Sequence, residues 1–375
     1  MLTVPPQLDE QACRSSDEEA ALDHPWLPSA LRALREASAT CPLSSAIVPL
    51  NASAERRRLT GTEASPAWNY ARYDADGRGE ALRALARFLA GERGCPVSRL
   101  LAARAHELAE YTEMAESVGT RRFSHLSQRG NAPSAAAIAL ANEWCKLQVP
   151  PAHEPSVASE GPGVSLESAL RSRLAELAVD WPVTARAGMA ALAATGDGFV
   201  AVAVGRRLTE ATLRRTVVHE IEGHVLPRVR ANRVGHALTR IGSAQGIAAQ
   251  EGWALRCEER AGLLTAPRKH ELAWRTLACA RMADGASFVD VLRALQREAA
   301  FTHEAAYALA ERLFRGSLGT LPGLGRESHY LNYYIRIRDH LAEHAGDEAL
   351  FACAVVAPEW CADLRKAMGT GGVLR

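Results

Sequence analysis

The chain has 375 residues, 47% of them hydrophobic, 23% charged and 6% aromatic, the make-up of a globular protein long enough to bury a sizeable core. Forty-four basic against 43 acidic side chains leave a formal charge of +1. That balance excludes a strong electrostatic case for nucleic acid or an anionic membrane as the main partner. All but three of the cations (Lys146, Lys269, Lys366) are arginine. A GC-rich coding sequence accounts for that bias more simply than phosphate binding does.

Met1-Leu-Thr-Val-Pro-Pro lacks the basic start and apolar run of a secretory leader, and no stretch of about 18 apolar residues could span a bilayer. The eight cysteines (Cys13, Cys41, Cys95, Cys145, Cys257, Cys279, Cys353, Cys361) are scattered, with no CxxC pair for a thiolate metal site or redox motif. Reduced thiols in a cytoplasmic protein are expected.

Residues 1–25 are polar and acidic and read as a loosely ordered lead-in. Residues 26–148 form an N-terminal helical region. Within it Ala81–Glu92 places Leu82, Leu85, Phe88 and Leu89 on one stripe, and Leu100–Ser117 and Ser134–Leu147 repeat the pattern. A Pro- and Gly-rich linker over 149–163 follows. Residues 164–375 form the second domain. Leu166–Val179 and Arg186–Ala194 read as helices there. Gly196-Asp-Gly198 is a turn, and Phe199–Val204 (FVAVAV) is the best strand in the chain. A helix starts at Thr209 and runs through Val217-Val218. The chain is mostly helical from 247 to 345, broken over Gly316–Gly325. The fold class is therefore mainly α with a small β element.

The chemistry concentrates in Thr216-Val-Val-His219-Glu220-Ile-Glu-Gly-His224, late in the helix that follows the strand. Two imidazoles with a carboxylate beside the first are what hydrolytic zinc chemistry requires: neutral nitrogens hold the metal and the Glu takes a proton from water. The spacing is i, i+5 and not the familiar i, i+4. On an α-helix that leaves the two side chains about 140° apart, too far to share one ion. The helix must therefore widen into a π-turn or end here, and Gly223 offers the backbone freedom to do so. A third ligand is needed. Glu251, in Gln250-Glu251-Gly252-Trp253-Ala254, is the natural candidate, with Glu222, Glu258, Glu259 and His236 as rivals.

HExxxH followed some 30 residues on by Gln-Glu-Gly-x-Ala resembles the zinc carboxypeptidases of the microtubule-associated tyrosine carboxypeptidase family and their bacterial relatives with a "QEGLP" motif. Weaker resemblances lie at FVAVAVGRRLTEATL, Gly285-Ala-Ser-Phe288, Arg312-Leu-Phe-Arg315-Gly316 and Arg326-Glu327-Ser-His-Tyr330-Leu331. The resemblance covers about residues 120–345. It implies a zincin-like metallopeptidase core, with Zn2+ held by His219, His224 and Glu251 and with Glu220 as the catalytic base. It favours Tyr330 for a catalytic role and Arg315 and Arg326 for binding a substrate carboxylate. Departures from the family pattern lie at Glu222-Gly223, Trp253, Arg326-Glu327 and Tyr333. Trp253, in place of the usual Leu, would reshape the pocket for the last substrate side chain.

The function expected is a zinc-dependent metallocarboxypeptidase acting at the C-terminus of a peptide or protein. Animal members of that family remove the C-terminal tyrosine of tubulin. For an Arg- and Ala-rich chain of bacterial character, a ribosomally made precursor peptide is one candidate substrate. An endopeptidase or other amide hydrolase would use the same metal centre without the carboxylate clamp, and a non-catalytic interaction protein would have no use for Glu220. His303-Glu304 has no His four or five residues on and reads as helix surface; His236 reads as structural.

Overall fold

The computed structural model describes residues 24–92, 95–150 and 157–369. The lead-in therefore lies outside the described residues except for its last two, as do residues 151–156 of the Pro-rich stretch. The N-terminal helices include α1 (Leu27–Ala39), α2 (Leu43–Ala46), α3 (Ala52–Arg58), α4 (Arg78–Gly91), α5 (Pro96–Glu116), α6 (Arg121–Asn131) and α7 (Ala135–Trp144). On α4 the apolar stripe is buried at Leu82 and Leu89, whereas Phe88 is 51% exposed. Thr120 and Ser134 accept hydrogen bonds from Phe123 N and Ala137 N and so start α6 and α7.

After the Pro-rich stretch come β1 (Val157–Ala158), α8 (Leu166–Glu176), β2 (Val183–Arg186), β3 (Ala193–Thr195), β4 (Val200–Ala203) and β5 (Arg207–Leu208). β4 lies between β2, parallel to it, and β3, antiparallel to it; β1 pairs antiparallel with β5. All four β4 residues are buried, as their unbroken apolar run requires of a central strand. The helix expected over Arg186–Ala194 is absent. That Ala-rich segment instead ends β2, turns through Gly188 at φ 76°, and enters β3. Local helix propensity is worth only tenths of a kcal/mol per residue. Here it loses to pairing with both edges of β4.

Then follow α9 (Glu210–Val218), capped by the Thr209 side chain, a π-helical segment (His219–Val225), α10 (Leu226–Val234), α11 (Ala237–Ile241) and α12 (Gly246–Arg260). Next are α13 (Ala266–Ala283), α14 (Phe288–Arg297), α15 (His303–Phe314), a 3-10 turn (Arg326–Ser328) and α16 (His329–Glu343). The break between α15 and the 3-10 turn matches the glycine-rich gap in the sequence. Short 3-10 turns then flank α17 (Glu348–Cys353) and lead into α18 (Cys361–Met368). One core joins α1, α4 and α5 to α11, α12 and α16–α18 through residues such as Leu34, Leu101, Trp253, Ile337 and Phe351. Another packs the three-stranded sheet and α8 on the π segment through Leu170, Val200, Val202, Ile221 and Val225. The cysteines among the described residues are free thiols, and no described helix is long and apolar enough to cross a membrane.

Candidate metal centre and active site

His219 through Val225 form a π-helical stretch, the widening that the i, i+5 histidine spacing demands. With i→i+5 bonding the wider turn brings residues five apart toward one face, so both imidazoles point to one side. Gly223 has a different use from the one expected. Its backbone has no positive φ, and a Cβ there would lie 2.3 Å from Ala254 Cβ. The missing side chain lets α12 lie directly on the π segment. That approach brings Glu251 to both histidines.

The three side chains converge. His219 Nε2 and His224 Nε2 are 3.3 Å apart, and Glu251 Oε2 lies 3.4 Å from the first and 3.8 Å from the second. For a tetrahedral ion with ligand bonds of about 2.0–2.1 Å, the ligand–ligand edges are about 3.3–3.4 Å. Glu251 Oε2 is buried and accepts no hydrogen bond, an expensive state for a carboxylate oxygen unless a cation is its partner. Two imidazoles and a carboxylate are borderline donors that suit zinc. The residues therefore fit the ion.

Glu258 completes the arrangement. It stands two helical turns beyond Glu251, is fully buried, and its Oε1 lies 2.7 Å from His219 Nδ1. In the neutral ring that a bound metal would select, an Nδ1–H donated to Glu258 leaves Nε2 free to face the ion. Arg268 forks onto the same carboxylate, Nε to Oε2 and Nη2 to Oε1, each at 3.0 Å. Burial alone would raise the Glu258 carboxyl, but Arg268 and His219 outweigh it and hold it at about 2. Burial also disfavours a charged His219, yet Glu251 and Glu258 push that imidazole up to about 9. Two carboxylates on one imidazole make the site attractive to positive charge. Burial keeps His224 below its usual value, in the neutral form a ligand needs.

Of the other rival ligands, Glu222 pairs with Arg173 at 2.9 Å, Glu259 accepts the Tyr334 hydroxyl at 2.7 Å, and His236 accepts Leu238 N at the start of α11. His303 binds the backbone at Leu59 and Gly61. A second His/Asp/Cys group, His340, Asp347 and Cys361, lies on α16, a 3-10 turn and α18. There the Asp347 oxygens already serve His340 and Arg365, so the acid is matched without an ion.

Glu220 is buried beside His219, and its Oε2 accepts the Thr195 hydroxyl at 2.7 Å. Thr195 ends β3, so the sheet edge orients the carboxylate. Tyr330 stacks on His219 with ring centroids 6.1 Å apart and planes at 26°, and the Arg275 guanidinium lies 5.2 Å over its face. It reaches this place because Gly252 has no Cβ: one would meet Tyr333 C at 2.3 Å, so α16 closes against α12. From Glu258 a buried chain of opposite charges runs on through Arg268, Glu271, Arg275, Glu327 and Arg312. Asn131 of α6 holds the segment before Tyr330, contacting His329 Nε2 at 2.7 Å and accepting the Ser328 hydroxyl on its backbone oxygen. Burial pushes His329 down to about 4.

The remaining expected residues lie apart. Arg315 Nε donates to the Arg312 carbonyl at 3.4 Å, and Arg326 lies 5.5 Å over the Tyr111 ring. Neither makes a salt bridge among the described residues. Burial, and then Arg312, bring Arg315 down to about 10. Trp253 is buried in the core and stacks on Phe351 at 5.8 Å, on another face of α12 from Glu251. That placement gives it no contact with the histidines. Sequence reasoning missed Thr195, Arg268, Arg275 and Arg228, whose Nη1 donates to the His224 carbonyl at 3.0 Å.

A π-turn carrying HExxxH, a carboxylate from the next long helix and a small sheet against Glu220 bring together a group of side chains that could hold a metal ion. The sequence model for the microtubule-associated tyrosine carboxypeptidase family matches residues 58–355, most of the chain, and the chain belongs to that family. The family is one of peptidases of the carboxypeptidase type. No curated protein matches the chain.

Proposed function

We propose that this protein is a zinc-dependent metallocarboxypeptidase that hydrolyses the C-terminal peptide bond of a peptide or protein. The observation that carries the reading is the pairing of the His219–His224–Glu251 triangle, two of whose three edges have tetrahedral length, with Glu220 beside it. His219, His224 and Glu251 would hold Zn2+, which when bound polarises the scissile carbonyl and acidifies water. Glu220, held through Thr195, accepts the proton of the attacking water and passes it to the leaving amine. Tyr330, over Arg275 and against His219, places a phenol where negative charge develops on the carbonyl oxygen. Burial raises that phenol above its ordinary value, so it stays protonated and able to donate. An exopeptidase also needs a cation for the terminal carboxylate. The sequence points to Arg315 and Arg326, which carry no salt bridge among the described residues.

The substrate class is a peptide or protein with a free C-terminus, a biosynthetic precursor peptide among the candidates, met in the cytoplasm. Zinc-loaded protein incubated with matched free-acid and amidated peptides, read by mass spectrometry, tests the reading. Single residues should leave the free acids from the C-terminus, with the amides nearly inert. Equal cleavage of acid and amide, or internal fragments as first products, would instead mean an endopeptidase on the same centre.

A further inference from the structure

Arg228 sits on α10 one helical turn beyond His224. Its one side-chain hydrogen bond among the described residues, Nη1 to the His224 carbonyl oxygen at 3.0 Å, uses one of the five guanidinium donors. It makes no salt bridge among the described residues, whereas Arg268, Arg275 and Arg312, in the charge chain behind the site, are each matched by a carboxylate. The acidic groups around it are Asp197, in the turn between β3 and β4, the base Glu220 and the ligand Glu251. The residue is partly exposed, and its remaining guanidinium donors stay open to solvent beside the site.

We propose that Arg228 binds the free α-carboxylate of the departing C-terminal residue and is the group by which the enzyme measures the chain end. The proposal rests on the carboxypeptidase reading and names its clamp. Its distance is suitable. The terminal carboxylate lies one residue, about 3.5 Å of chain, beyond the scissile bond, and a helical turn from His224 spans about 5.4 Å. Arg315 and Arg326 are set differently. The charges around Arg315 are Arg312, Glu327, Arg326 and Glu311, and none of these is a group of the metal triangle or its base. Arg326 is engaged with Tyr111. The free donors of Arg228 form a fork that matches a carboxylate in two parallel hydrogen bonds, a geometry lysine lacks.

The test compares zinc-loaded wild type with Arg228→Gln, Arg228→Lys, Arg315→Gln and Arg326→Gln on a peptide and its C-terminal amide, with zinc content checked for each. Arg228→Gln should lower kcat/KM for the free acid about 10²-fold, mostly through KM, and leave the rate on the amide in place. The acid-to-amide ratio should then fall toward one. Arg228→Lys should restore part of it, and Arg315→Gln and Arg326→Gln should reduce it less. A second readout needs no turnover: in a Glu220→Gln background, calorimetry should show the acid binding more tightly than the amide, and Arg228→Gln should erase the difference. The proposal is overturned if Arg228→Gln keeps the acid preference, if it lowers acid and amide alike, or if the preference collapses in Arg315→Gln or Arg326→Gln instead. A wild type that shows no preference between acid and amide, in cleavage or in binding, overturns the carboxypeptidase reading itself and this assignment with it.

Discussion

Replacing Glu258 with Gln isolates what the buried carboxylate behind His219 contributes. The substitution keeps the shape but removes one negative charge and one acceptor oxygen. In the native protein the two oxygens serve three donors: His219 Nδ1 at 2.7 Å and Arg268 Nε and Nη2 at 3.0 Å each. Gln has a single carbonyl oxygen for those donors, and its amide nitrogen must face either Arg268 or His219. If it faces His219, Nδ1 becomes the acceptor and the proton moves to Nε2, the atom that should bind metal. If it faces Arg268, a buried cation meets a donor. Carboxylates that orient a ligand histidine in this way are worth roughly 10–100-fold in metal affinity, or about 1.4–2.7 kcal/mol. Removing a partner from a buried pair can cost about 3–5 kcal/mol of fold stability, less where Gln still accepts one bond. Zinc affinity should be measured by competition with a chromophoric chelator, alongside a thermal melt of the zinc-free protein. The expected outcome is weaker zinc binding in a protein that is still folded at the assay temperature. Unchanged affinity, within twofold, would refute the claim that Glu258 sets the His219 tautomer.

Glu220→Gln should retain zinc and lose about 10²-fold or more in kcat, because an amide cannot take the proton of water, whereas His219→Ala should lose the metal itself; elemental analysis and peptide turnover separate the two, and wild-type rates in Glu220→Gln would sink the mechanism. Gly252→Ala places a Cβ 2.3 Å from Tyr333 C and should destabilise the fold by at least the roughly 1–3 kcal/mol typical of overpacking. Gly346→Ala, with nothing within 4 Å of its Cβ, is the comparison, and equal melting temperatures for the two would show that α12 and α16 are less closely held than described.

The π-turn was legible because it is a matter of angle: two ligands five residues apart cannot share an ion on an α-helix, and the segment His219–Val225 widens accordingly. The Thr209 start and the buried strand Val200–Ala203, expected over Phe199–Val204, were legible too, since capping and an unbroken apolar run are local properties. β2 and β3 were not. Their alanines favour helix in isolation, and only the presence of β4 between them decides otherwise. Glu258 was visible only as one acid among several near Glu251. Its separation of seven residues puts it on the same face of α12, yet which of the two acids meets the outer nitrogen of His219 depends on how α12 crosses the π segment. Thr195 and Arg228 carry no signal in sequence at all, since the first acts across a sheet edge and the second through a bond to a backbone oxygen.

That crossing explains why a glutamate and a glycine stand side by side in the second motif. On a helix, neighbours point about 100° apart, so consecutive residues address different partners. Glu251 faces the π segment, where Gly223 has removed the Cβ that would hold α12 away. Gly252 faces α16, where the backbone of Tyr333 and Tyr334 occupies the space a side chain would take. The first glycine fixes how near the carboxylate comes to the histidines. The second fixes how near α16, and with it Tyr330, comes to the carboxylate. Once α16 is seated, Tyr330 lies against both His219 and Arg275, with Arg275 in turn tied to Glu271 and Glu327. A larger residue at position 252 would therefore disturb the phenol before it disturbed the metal ligands, so loss of turnover with zinc content preserved is the signature to look for in any Gly252 variant that still folds.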